Sequence, residues 1–263
     1  MIARLGLRFI ALAYLALLLI VPVAIIVAHT FSGGLAPVWD ALTTEDAVKA
    51  LELTLKIAII VVPLNTLFGI TMAILLVRRD IRGKALLSAL IDLPFAVSPV
   101  IVGFTLILVY GMNGWFGQFF IDQGYPIIFS TPGMVLATMF ASLPFVAREV
   151  IPVLREIGTE QEQAASTLGA RGWQTFRRIT LPAIRWGIVY GVVLTTARSI
   201  GEFGAVAVVS GNVIGQTQTL TLRVSQEYQN FNHIAAYTAA LELAVIALVT
   251  LFLMNLFHPR KDH

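Results

Sequence analysis

The chain has 263 residues, of which 57% are hydrophobic and 13% charged, with a formal net charge of +3. A soluble domain carries about 25% charged residues. With a mean hydropathy of +0.84, this composition excludes an ordinary soluble globule, a disordered chain and a nucleic-acid binder working through a basic patch. The absence of cysteine excludes a disulfide, a thiolate metal site and a cysteine nucleophile.

A helix needs about 20 apolar residues to cross the roughly 30 Å of hydrocarbon in a bilayer. Six runs reach that length: 9–31, 53–77, 85–110 with an interruption at 92–99, 134–154, 186–209 and 234–257. Lipid offers no partner to an open backbone amide, so each run is expected to be helical. The alternating ten-residue segments of a membrane β-barrel do not occur in the sequence. The expected fold class is therefore all-α, a polytopic membrane protein with six transmembrane helices.

The first run follows Arg4 and Arg8. It is longer than the apolar part of a signal peptide, and it is read as a retained helix. Together with the loop that follows it forms an N-terminal unit, 1–48, ahead of a main domain, 49–257, and a tail, 258–263. Arg78, Arg79, Arg82 and Lys84 follow the second run. Arg155, Arg171, Arg177, Arg178 and Arg185 follow the fourth, and Arg260 and Lys261 the sixth. The opposite loops hold Lys49 and Arg223, with Lys56 at a helix edge. The positive-inside rule places both termini in the cytoplasm. At the start of the second run, Glu52 and Lys56 have the spacing of a structural helical pair.

The third run is broken by Pro94 and Pro99, which remove backbone donors. Such a break either lines a cavity or is a packing kink. In the first case Ser98 contributes to a path, helped by the free amides of a half-helix. Asp92 is read as a cap or a lock to a neighbouring helix. The loop 111–132 carries Trp115, Phe116, Phe119, Phe120, Tyr125 and Phe129, as at a membrane interface.

The loop after the fourth run is long and polar. Thr159 and Glu162 have capping-box spacing. Ala164, Ala165 and Leu168 recur at helical spacing, and Gly169 ends the helix. Trp173, Phe176 and Ile179 mark a second short amphipathic piece, with Arg177 and Arg178 opposite, and Pro182 suits the first turn of the fifth helix. Either this segment presents a small-residue knob to a cytoplasmic partner, or it rests on lipid headgroups.

Within the fifth run, Arg198 and Glu202 are spaced to pair, on a stripe with Gly187, Gly191, Thr195 and Ser199. That face is either a helix-packing seam or the lining of an anion path. The loop 210–232 is too polar to span and is read as exposed.

The chain has no phosphate-binding G-x-x-x-x-G-K-[ST] loop. His29, His233, His258 and His263 are scattered. No metal constellation and no nucleophilic triad are readable, so the chain is read as no enzyme.

The segment Gln163-Ala164-Ala165-Ser166-Thr167-Leu168-Gly169, then nine residues, then Ile179-Thr180-Leu181-Pro182 resembles the EAA loop of ABC importer permeases. Gln163 stands where that family usually has Glu. Asp92-Leu93-Pro94-Phe95-Ala96-Val97-Ser98-Pro99 and Ala197-Arg198-Ser199-Ile200-Gly201-Glu202-Phe203-Gly204-Ala205 resemble signatures of sulfate and molybdate permeases. Leu143-Pro144-Phe145-Val146-Ala147-Arg148-Glu149 and Thr219-Leu220-Thr221-Leu222 are similar to the sulfate/thiosulfate branch, CysW type.

The resemblance implies a type I ABC importer permease fold over 49–257 and a pore-forming subunit of an ATP-driven sulfate/thiosulfate importer in the plasma (inner) membrane. It implies a second permease subunit of the CysT or CysU type, two copies of a cytoplasmic ATPase and a periplasmic sulfate-binding protein. This chain itself holds no cofactor, ATP and Mg belonging to the ATPase. Gln163, Ala164, Ala165, Leu168, Gly169, Trp173 and Phe176 are the expected ATPase-coupling residues. Ser98, Thr195, Arg198, Ser199 and Glu202 are candidates for the translocation path. A molybdate or tungstate permease is a nearby alternative. A membrane scaffold or integral enzyme without transport is one of another class.

Overall fold

The structure is a computed structural model that describes residues 2–256. The tail 258–263, with His258, Arg260, Lys261 and His263, lies outside the described residues. Among the described residues every regular element is helical.

Helix α1 (Ile2–Leu15) passes through a π-helical turn (Ala16–Ile20) into α2 (Val21–Thr30), and α3 (Leu35–Thr43) follows. Helix α4 (Glu45–Arg78) is the long axis of the bundle. Thr44 starts it, its hydroxyl accepting from the Ala47 amide at 3.3 Å. Glu45 and Asp46 in the first turn complement the helix dipole. Then come α5 (Lys84–Ala96), α6 (Pro99–Tyr110), α7 (Gly117–Asp122), α8 (Thr131–Ser142) and α9 (Pro144–Glu156). The chain continues as α10 (Glu160–Thr167), α11 (Gly172–Thr175), a π-helical turn (Phe176–Thr180), α12 (Leu181–Ile200), α13 (Gly204–Val209), α14 (Leu220–Gln229) and α15 (His233–Leu256).

Five stretches are long and apolar enough to cross a bilayer: Ile10–Thr30, Glu45–Arg78, Thr131–Glu156, Gly172–Ile200 and His233–Phe252. The third apolar run is not a straight span, because α5 and α6 meet at 109°. Val97 and Ser98 are extended there, with ψ of 134° and 131°. Pro99 brings no N–H to the ladder and disfavours a helical Ser98, so the helix stops and restarts.

The fifth run is also shifted. Its helix ends at Ile200, and 204–209 forms the separate α13. At the other end it begins at Gly172, so Trp173, Phe176 and Ile179 belong to the entry of this span rather than to a detached amphipathic piece. Arg177, Arg178 and Arg185 dilute the apolar signal over those turns.

Two buried apolar clusters share α4. Leu53, Ile57 and Val61 pack with Met134, Ala205, Val209 and Leu222 toward one end. Ala73 and Leu76 pack with Ile91, Val146, Val150, Leu154 and Ile184 toward the other. Close approach depends on glycine. A Cβ on Gly69 would lie 2.6 Å from Val146 Cβ, and one on Gly191 would lie 2.7 Å from Val146 Cα. Val146 is thus wedged between α4 and α12, as small residues permit in membrane bundles. The 10–30 span buries none of its apolar window, as expected where the solvent is lipid.

Candidate coupling surface and polar interior

Helix α10 stands out from the bundle. Gln163, Ala164, Leu168 and Gly169 are exposed, and Ala165 is half-buried. Leu168 is 88% exposed, and Gly169 closes the helix at φ +81° with open space around its Cα, a left-handed conformation suited to glycine. Trp173 is exposed, and its ring lies 5.5 Å from that of the half-buried Phe176. Of the seven expected coupling residues, five are exposed and two, Ala165 and Phe176, are half-buried.

The expected capping box does not form. Thr159 makes no cap, and its hydroxyl accepts from Gln163 Nε2 at 3.1 Å. Glu162 is taken instead by Arg78, whose Nε lies 2.9 Å from the carboxylate. Thr180 Oγ1 donates to the same carboxylate at 2.8 Å. Arg78 also donates to the carbonyls of Leu154 at 3.0 Å and Gly158 at 2.6 Å. Only 11% of the Arg78 side chain is exposed, and charge-assisted bonds at such a site outweigh a local cap. The ends of α4 and α9, the start of α12 and α10 thereby meet at one guanidinium. A cavity of about 490 Å³ opens beside this junction, lined by Arg78, Arg79, Glu162, Gln163 and Phe176 among others. In the sequence, Arg78 carries no signal beyond its place among the basic loop residues.

At the far end of α12, Arg198 and Glu202 do pair, at 2.6 Å. They are not on one helix, since α12 ends at Ile200. Glu202 Oε1 accepts from the Ala205 amide at 3.0 Å, capping α13. Its backbone carbonyl accepts from Thr221 Oγ1 at 2.8 Å. One residue thus ties together α12, α13 and the first turn of α14.

Gly187, Gly191, Thr195 and Ser199 are all buried, with Gly187 and Gly191 packed against α9 and Ser199 against α8, as a packing seam requires. Ser199 Oγ donates to Ser142 Oγ at 3.4 Å. Asn65 Nδ2 donates to Ser142 Oγ at 2.9 Å and to the Met139 carbonyl at 3.0 Å. Of the five path candidates, Thr195, Ser199 and Glu202 lie inside the subunit, whereas Ser98 and part of Arg198 reach its surface.

Asp92 locks α5 to α9 through a two-pronged ion pair with Arg148, Nε donating to Oδ1 at 2.5 Å and Nη2 to Oδ2. The ion pair at the start of α4 joins Lys49 to Glu45 at 2.6 Å, not Lys56 to Glu52. The loop 210–232 is not simply exposed. Thr217 to Arg223 include six residues at 7% exposure or less: Thr217, Gln218, Thr219, Leu220, Leu222 and Arg223. The Leu220 amide donates to Thr54 Oγ1 at 2.9 Å, docking α14 on α4. Trp115, Phe119 and Tyr125 are exposed.

These features define a polytopic helical membrane protein that carries a short exposed helix between the spans Thr131–Glu156 and Gly172–Ile200. The family model described as "Binding-protein-dependent transport system inner membrane component" matches residues 65–263, and the chain belongs to that family. It is 51% identical over 253 residues to the sulfate transport system permease protein CysW of Synechocystis sp., covering 96% of this chain and 92% of that protein. It is 36% identical over 250 residues to the sulfate transport system permease protein CysT of Escherichia coli, covering 95% of this chain and 90% of that one. Among solved structures, a bacterial ABC transporter involved in the import of the polysaccharide alginate matches with a TM-score of 0.82 at 17% identity, covering 99% of this chain and 96% of that chain. The fold is that of a type I ABC importer permease.

Proposed function

We propose that the protein is a pore-forming permease subunit of an ATP-driven sulfate importer in the plasma (inner) membrane. The observation that carries this reading is the 51% identity to a sulfate permease across 96% of the chain. The greater likeness to CysW than to CysT, 51% against 36%, supports a CysW-type role beside a different, CysT-type permease. The family description supports delivery of the substrate by a binding protein.

The geometry supports a division of labour. The surface formed by Gln163, Ala164, Ala165, Leu168, Gly169, Trp173 and Phe176 docks on a cytoplasmic ATPase, which holds ATP and Mg. Movement of α10 passes through Glu162 and Arg78 into α4, α9 and α12, and drives alternating access. The basic loops, including the one that carries α10, face the cytoplasm with both termini. The subunit is a transport component rather than an enzyme.

The test is reconstitution of the chain with a CysT-type permease, the ATPase and the binding protein in vesicles. ATP-dependent uptake of radiolabelled sulfate, competed by thiosulfate, is the expected result. Uptake of molybdate in preference to sulfate, or failure of an ATPase to co-purify, would refute the reading.

A further inference from the structure

Phe203, the residue after Glu202, lines a cavity of about 510 Å³ whose lining carries no charged side chain. Phe203 contributes to one wall, and Asn212, Ser225, Gln226, Gln229 and Asn230 supply its polar groups. The polar wall is ordered from behind. Gln218, 4% exposed, donates from Nε2 to Asn212 Oδ1 at 3.3 Å and to Gln226 Oε1 at 2.5 Å. Asn212 Nδ2 donates to the same Gln226 oxygen at 3.0 Å. Asn212 is held at φ +49°, a conformation rare outside glycine, with its amide donating to the buried Ser210 hydroxyl at 3.0 Å.

This wiring decides what the cavity offers a ligand. The oxygen of Gln226 is occupied by two donors, so its amide NH₂ is left to point elsewhere. The hydroxyl of Ser225 accepts from Gln229 Nε2 at 3.1 Å, which leaves its proton free to donate. The side-chain oxygens of Asn212, Gln226 and Ser225 each already accept a hydrogen bond, and the remaining polar groups, on Gln229 and Asn230, sit at the rim. A ligand that only accepts hydrogen bonds finds donors that are already oriented. No carboxylate lines the cavity, and Glu202, one residue before Phe203 in the chain, is capped and paired.

We propose that this cavity is a transit site for a tetrahedral oxyanion, bound through the Gln226 amide and the Ser225 hydroxyl, with Gln229 and Asn230 at the exposed rim. Neutral donors bind a dianion more weakly than a cationic clamp does. Weak binding is what a pore needs and a storage site does not. The proposal rests on the sulfate-import reading given above.

The experiment uses the complete reconstituted transporter, titrated with binding protein loaded with radiolabelled sulfate. Gln226→Glu keeps the oxygen that Asn212 and Gln218 need and replaces the NH₂ by a second, anionic oxygen. Maximal uptake at saturating loaded binding protein is expected to fall about tenfold or more. The binding-protein concentration at half-maximal uptake and the basal ATPase rate stay at wild-type values. Gln229→Glu on the exposed rim and Ser225→Ala give smaller losses of the same kind, and they carry the test if Gln226→Glu fails to assemble. Wild-type maximal uptake in these variants would overturn the proposal. So would an unchanged maximum with a raised half-saturating concentration, which makes the cavity a contact for the binding protein. A wild-type complex that moves no sulfate removes the reading on which the proposal rests, and the proposal with it.

Discussion

The Glu202 carboxylate is 1% exposed, while the side chain of its partner Arg198 is 32% exposed. That inequality makes the two residues respond differently to removal. Arg198→Gln leaves a buried carboxylate with only the Ala205 amide for company, and uncompensated buried charges cost about 3–5 kcal/mol. Glu202→Gln leaves a guanidinium that can still reach polar surroundings, and the glutamine oxygen can keep the cap on α13. Arg198→Gln is therefore expected to reduce thermal stability and yield of the purified complex more than Glu202→Gln does. Equal losses would show that the pair is not seated in this way. Gly191 makes a second residue-scale case. An alanine there must push against Val146 Cα at 2.7 Å, which is backbone and cannot swing aside. Overpacking of this kind costs about 1–3 kcal/mol, so Gly191→Ala should lower the melting temperature of the complex measured by thermal-shift assay.

At the scale of the element, α10 is eight residues long and buries none of them. A helix this short is marginal on its own, and its attachment to the bundle depends on the contacts at Arg78. Arg78→Lys keeps the charge but loses the fork that reaches Glu162 and two carbonyls at once. The expected outcome is an assembled complex whose ATP hydrolysis continues while uptake falls, so that several times more ATP is spent per sulfate. A wild-type ratio would count against transmission through this junction. Gly169→Asp belongs to the same element. Its φ of +81° is a left-handed conformation that aspartate adopts less readily than glycine, and the added carboxylate enters the proposed docking surface. The variant should reach the membrane, lose uptake and recover less ATPase in a pull-down.

For the whole molecule, the question is how the two core clusters along α4 are held in register, and which way the bundle faces. The Asp92–Arg148 lock ties the first limb of the broken pair to α9, 56 residues away. The 109° bend between α5 and α6 follows immediately. Orientation is testable because the chain has no cysteine. Cysteine placed at the exposed Ser166 on α10 should react with a membrane-impermeant maleimide only in inside-out vesicles. Cysteine at the exposed Gln216 should react only in right-side-out vesicles or intact cells. The opposite labelling pattern would reverse the assignment of the basic loops.

The spans were legible because lipid imposes one simple demand, a long apolar stretch that satisfies its own backbone. The end of α10 was legible because Gly169 is a local signal, and the third-run break because proline acts on its immediate neighbours. Arg78 with Glu162, 84 residues apart, had no such signature. Nothing periodic connects two charges on separate helices, and a nearby Thr159 offers a local cap that the largely enclosed guanidinium of Arg78 overrides. The angle between α5 and α6, the burial of Thr217 to Leu220 and the wiring of Gln218 to Gln226 likewise depend on which faces meet. Hydropathy says that a segment is polar, but burial of a polar segment depends on partners such as Thr54, 166 residues away in the chain. Those partners exist only once the helices have packed.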